Sequence, residues 1–143
     1  MIIFWFRRDL RLNDNHGLYK ALKYSNNVLP IFIYDTNITN KLEENDHRLK
    51  FISDAIAGIN SKLKSTNNKI FTFEGKPSEV LSQLIRIYKI KGIFFNKDYE
   101  PYARDRDQDI IKMCDEEGVS CYSFKDHVIF EEDEIVKNDG SPY

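Results

Sequence analysis

Met1-Ile-Ile-Phe-Trp-Phe6 runs without a break into Arg7-Arg-Asp-Leu-Arg-Leu-Asn-Asp-Asn15. An unbroken apolar run this short cannot make a helix, and it reads as a strand buried on both faces, as in a parallel sheet. Val28-Leu-Pro-Ile-Phe-Ile-Tyr34 is a second such run, with Pro30 near its start, where a missing N–H donor is tolerated. Ile70-Phe-Thr-Phe73, Gly92-Ile-Phe-Phe95 and Val119-Ser-Cys-Tyr-Ser-Phe124 bring the strands to five.

Helical periodicity fills the intervals. Leu18, Ala21 and Leu22 mark a first helix starting at Asp14 or Asn15. Leu49, Ile52, Ile56, Ile59 and Leu63 recur at helical spacing behind a cap at Asn45 or Asp46. Pro77 stands where a third helix should begin, ahead of Val80, Leu81, Leu84, Ile87 and Tyr88. Pro101 does the same for a fourth, which should stop at Gly118. Five buried strands alternating with four helices predict a doubly wound (Rossmann-like) α/β fold. Its five-stranded sheet should be mostly parallel, with helices on both faces. Such sheets place their ligands beyond the carboxyl ends of the strands.

The totals agree with one domain. At 143 residues, 41% hydrophobic and 31% charged, the chain has room for a single core. A net charge of −2 lacks the basic surplus of a main DNA-gripping surface. Cys114 and Cys121 have no Cys-x-x-Cys partner, and His16, His47 and His127 are scattered, so no metal is expected. The chain opens directly on an apolar strand, without a basic region before a cleavage site, and no apolar run approaches bilayer length. The expectation is a cytoplasmic protein with no membrane association. Residues 1–125 read as the domain, and the acidic tail 126–143, ending in Asn138-Asp-Gly-Ser-Pro-Tyr143, reads as the start of a linker.

Chemistry-bearing residues follow the strands. Arg7, Arg8, Asp9, Arg11 and Asp14 suggest a hydrogen-bonded ion network that braces loops, with Asp14 as a helix cap. Arg8 or Arg11 could instead line an anion or chromophore site, although no glycine-rich turn is present for a phosphate. Arg104, Asp105, Arg106, Asp107 and Asp109 alternate in charge, as a solvated or salt-bridged helix face does. Tyr99 and Tyr102 read equally as packing residues.

The segment Trp5-Phe-Arg-Arg-Asp-Leu-Arg-Leu-Asn-Asp-Asn15 resembles the opening signature of the DNA photolyase/cryptochrome family. The resemblance continues through Tyr34-Asp35, through Arg48 and Phe51, and through Glu74-Gly-Lys-Pro77. It then takes in Asn96-Lys-Asp-Tyr-Glu-Pro-Tyr-Ala-Arg-Asp-Arg-Asp107 and Gly140-Ser-Pro-Tyr143, so that nearly the whole chain is covered.

That resemblance implies an N-terminal α/β domain holding a light-harvesting antenna. A helical C-terminal domain beyond Tyr143 would bind FAD and the damaged DNA. In such proteins the antenna passes its excitation to reduced FAD, which donates an electron to a pyrimidine dimer. No catalytic residue of that reaction would lie in this stretch, and Trp5, the only tryptophan, cannot form a tryptophan relay. Folate-binding members of one type carry Asn-Glu where this chain has Tyr102-Ala103. A hydroxy-deazaflavin or FMN antenna is therefore implied ahead of a folate. By the same resemblance its site comprises Tyr34, Asp35, Arg48, Phe51, Asp98, Tyr99 and Glu100. The alternatives are a cryptochrome photoreceptor and a stand-alone nucleotide-binding or interaction module.

Overall fold

The computed structural model describes residues 1–126 together with Val128 and Lys137; His127 and the turn-like Asn138–Tyr143 stretch lie outside the described residues. The chain forms β1 (Ile2–Phe6), α1 (His16–Tyr24), β2 (Val28–Asp35), α2 (Thr36–Thr39), α3 (His47–Leu63), β3 (Phe71–Gly75), α4 (Pro77–Tyr88), β4 (Gly92–Asn96), α5 (Pro101–Glu117) and β5 (Ser120–Phe124). The sheet order is β3-β2-β1-β4-β5 and every pairing is parallel. The order reverses at β1, so the crevice between the ends of β1 and β4 is the switch point.

Side-chain alternation along β1 divides the core. Ile3 and Trp5 join Ile31, Ile33, Ile93 and Phe95 under Leu81, Leu84 and Ile85 of α4 and Ile110 and Cys114 of α5. Ile2, Phe4 and Phe6 point the other way, to Leu18 and Ala21 of α1 and Ile56 and Ile59 of α3. All five β1 side chains are buried. Each large apolar group so buried contributes roughly 1.5–3 kcal/mol relative to exposure. The two cysteines are free and pack within the first of these clusters.

The punctuation works as the residue chemistry predicts. Pro77 and Pro101 open α4 and α5, and Gly118, at φ 69°, closes α5 in the left-handed conformation. Asp46 caps α3 by accepting from the Arg48 amide, and Asn15, not Asp14, caps α1. Asp14 instead takes φ 51°.

Three sequence expectations need correction. First, β3 is not buried on both faces: it is an edge strand, and Phe71 keeps 41% of its surface. It has one neighbour, and the apolar contacts of α3 are concentrated at Ile56 and Ile59. Second, Ile87 and Tyr88 stand exposed: Ile87 turns away from the Leu81, Leu84 and Ile85 face, and at Tyr88 α4 gives way to the left-handed Lys89, after which Ile90 takes the buried position. Leu22 of α1 is exposed as well. Third, the short α2 was not anticipated; Asp35 caps it by accepting from the Asn37 amide.

Candidate functional site

At the switch point β4 ends in a buried asparagine. Asn96 donates to Asp9 Oδ2 at 2.6 Å and to Asn15 Oδ1 at 2.8 Å, and accepts from the Gly17 amide at 2.8 Å. Asp9 also accepts from the Arg7 amide, and Asn15 donates to the Asp9 and Arg11 carbonyls. A Cβ at position 17 would lie 2.5 Å from Asn96 Oδ1, so only glycine admits this approach. Asn96, Asp9 and Asn15 thus tie the ends of β1 and β4 to the start of α1. Arg7 completes the tie: its guanidinium bonds the Asn96 carbonyl and Asp107, and lies over the rings of Trp5 and Phe95. Burial lowers its pKa, and Asp107 opposes that shift.

Arg11 donates to the Asp14 carbonyl and to Asp126, whose other oxygen accepts from the His16 amide at 3.0 Å. Asp126, the first residue expected of the linker, is therefore held on the domain with its side chain almost fully covered. Arg8 does turn toward the crevice. It pairs with Glu100 at 2.6 Å and with Asp98 at 3.5 Å, which places both predicted carboxylates around one guanidinium. Glu100 sits at the N-cap position of α5 but makes no side-chain cap bond, so its oxygens face solvent and Arg8.

A second group forms beside it. The Tyr102 hydroxyl donates to Asp35 Oδ2 at 2.6 Å and accepts from Asn37 Nδ2 at 3.2 Å. Asp35 is only 6% exposed, so this hydroxyl and the Asn37 amide satisfy a buried carboxylate. Burial first, and then the bond to Asp35, raise the Tyr102 pKa. The Arg106 guanidinium lies over the rings of both Trp5 and Tyr102. Arg106 and Asp107 are thus mostly covered, and Asp107 pairs with both Arg7 and Arg106, so this part of the charged run is salt-bridged rather than solvated.

The other expected site residues lie apart from these groups. Tyr34 points to the opposite sheet face from Asp35 and packs on the α1–α3 side, where burial raises its pKa. Arg48 pairs with Asp46 at the exposed start of α3, holding that carboxyl down to about 2. Phe51, one turn on, is 74% exposed. The Tyr99 carbonyl accepts from Arg104 Nε. The sequence leaves Tyr102 evenly between packing and site, reads Arg106 only as part of a charged helix face, and gives no role to Asn37 or Asn96. The available signal for Asn96 was a polar residue closing an otherwise apolar strand.

Glu100 and Asp98 offer carboxylate acceptors for ring N–H groups, while Arg48 and Phe51 offer a cation and an uncovered aromatic face. The Tyr102-Ala103 pair offers less, since the hydroxyl is engaged with Asp35 and Ala103 is buried.

The family model described as DNA photolyase matches residues 2–143. The chain is 28% identical over 142 residues to the deoxyribodipyrimidine photo-lyase of Synechococcus, and 29% identical over 139 residues to cryptochrome-2 of Gallus gallus. These matches take in 99% and 97% of this chain but 29% and 24% of the relatives' lengths. Among solved structures, the archaeal photolyase of Sulfolobus tokodaii, described as holding two FAD molecules, superimposes with a TM-score of 0.82 at 29% identity. That match covers 95% of this chain and 32% of the other. The class III photolyase of Agrobacterium tumefaciens gives 0.84 at 23% identity, covering 99% and 29%, a likeness of fold.

Proposed function

The chain belongs to the DNA photolyase family, and from that premise we propose that it is the antenna-binding domain of a light-driven DNA-repair photolyase. The observation that carries the proposal is the pairing of Asp98 and Glu100 on Arg8 at the switch point of the sheet. Two carboxylates held there by a half-exposed guanidinium provide acceptors at the place where doubly wound sheets take their ligands. Glu100 would accept from ring N–H groups, Arg8 would hold it in place, and Asp98 would anchor Arg8. Tyr102 and Asp35 would form the floor beside the ring, and Arg48 and Phe51 would cover it from α3. A bound antenna supplies light absorption and passes excitation to FAD. The engaged Tyr102 hydroxyl and the buried Ala103 favour a flavin-type ring, hydroxy-deazaflavin or FMN, over a folate. The solved relative described with two FAD molecules and a novel light-harvesting cofactor supports a flavin-type second chromophore in this fold.

The chain spans under a third of the relatives' lengths. We therefore assign FAD, the contact with damaged DNA and the lyase reaction to a helical C-terminal domain of the whole protein. The near-equal identity to a cryptochrome supports a second reading, the same domain in a photoreceptor that signals through partners. The test is a parallel fluorescence titration of the chain with FMN, hydroxy-deazaflavin, a reduced folate and ATP. Saturable binding of a flavin-type ring supports the antenna reading. Preference for ATP, or for the folate, contradicts it.

A further inference from the structure

The end of the sheet opposite this crevice carries an unneutralised row of lysines. α1, α3 and α4 run back to the amino ends of the strands and deliver Lys23, Lys62, Lys64, Lys69, Lys89 and Lys91 there, all exposed. No acidic residue lies between Tyr24 and Val28, between Asp54 and Glu74, or between Glu79 and Asp98. None of the six forms an ion pair among the described residues.

Backbone bonds knit these loops into one edge: the Lys91 amide donates to the Met1 carbonyl, the Ile2 amide to Asn27, and the Ser120 amide to Lys91. With the order β3-β2-β1-β4, the row crosses three strand spacings, about 14 Å. Among the described residues, acids appear on this edge only at the β5 corner, where Glu117 is taken by Arg86 and Ser82, and Glu116 by Lys112.

At the β3 corner, Lys69 lies over the half-exposed ring of Phe71. Beside them a cleft of about 480 Å³ runs from Lys69 up the groove between β3 and α3, lined by Ser53, Tyr34 and Thr72 among others. Neutralising helix C-termini accounts for a cation in the last turn, such as Lys23 or Lys62. It does not account for Lys69 and Lys91, which stand just ahead of strands.

We infer that this edge is an auxiliary contact surface for the phosphodiester backbone of a nucleic acid, separate from the strand-end site. Single-strand phosphate spacing is about 3.4 Å, so the row spans about four phosphates. The neighbouring hydroxyls and exposed aromatic ring suit sugar and phosphate oxygens and an unstacked base rather than acyl chains. The contact is weak and salt-sensitive, as an overall net charge of −2 requires.

The experiment follows anisotropy of a labelled short single-stranded oligonucleotide with the whole chain, in a salt series from about 50 to 200 mM. The expected slope of log K against log salt is about −3. The exposed triple variant K62Q/K64Q/K69Q should reduce it to about −1, whereas K41Q/K50Q/K112Q, with the same charge loss elsewhere, should leave it unchanged. Equal effects of the two triples would reduce the surface to bulk charge and overturn the inference. So would salt-independent or absent binding, or binding to phosphatidylserine vesicles but not to the oligonucleotide.

Discussion

Two flanks of the strand-end crevice are built on different principles. On the β1–β4 flank, Asp9, Asn15, Asn96 and Arg7 are buried, and every polar group finds a partner. On the α3 flank, Arg48 and Phe51 stand in solvent, with only Asp46 held close. The first flank contains the Trp5–Asn15 signature, and apart from Arg8 its chemistry is consumed in joining strands. The second is less distinctive in sequence and retains surface for a ligand to cover. A strong signature can therefore mark scaffold, while recognition falls to exposed residues beside it.

Breaking the buried flank should have the largest effect. Asn96→Ala removes two donors and an acceptor, leaving the Asp9 carboxylate and the Asn15 side chain short of partners. It should cost about 3 kcal/mol or more of stability in urea unfolding. A loss below about 1 kcal/mol would mean the network is replaceable by water.

Tyr102→Phe withdraws one hydrogen bond from the buried Asp35 and should cost about 1–3 kcal/mol by the same assay. Unchanged stability would show that Asn37 alone satisfies that carboxylate.

The exposed flank should answer in affinity instead. Glu100→Ala and Arg48→Ala should each weaken flavin binding about 5- to 150-fold. Both residues are exposed, so the unfolding midpoint should shift little. Equal affinity in variant and parent would remove the residue from the site.

The smallest expected effect concerns pH. Hydrogen bonds from Arg48 hold the Asp46 carboxyl at about 2, below its ordinary 3.8. A depressed carboxyl gives its support fully above the ordinary value and loses it as pH falls through the depressed one. The first turn of α3 should therefore begin to fray below about pH 4 and lose the pair near about pH 2, seen as faster amide exchange. Asp46→Asn keeps a capping oxygen and should remove that dependence.

How much of this could be read in advance depended on range along the chain. Pro77, Pro101, Gly118 and the alternating faces of β1 act locally, and the sequence displays local chemistry. Glu100 and Asp98 follow a strand directly, so the sequence alone places them at its carboxyl end. The partners of Asn96 and Asp35 were hidden, since Asn96 meets Asp9 across 87 residues and Asp35 meets Tyr102 across 67. An apolar residue type also does not show which face it takes: Ile87 lies off the buried stripe of α4, and Tyr88 sits in its last turn beside the left-handed Lys89. For β3, an apolar run looked the same whether it had two neighbours or one.

The most direct test of the central claim is a map of backbone amide chemical shifts of the chain during titration with FMN. Changes should concentrate at Arg8, Asp35–Asn37, Arg48–Phe51 and Lys97–Glu100, with the amino ends of the strands unmoved. Saturating shifts centred elsewhere, or none at all, would contradict a ring-binding site at the carboxyl ends of β1, β2 and β4.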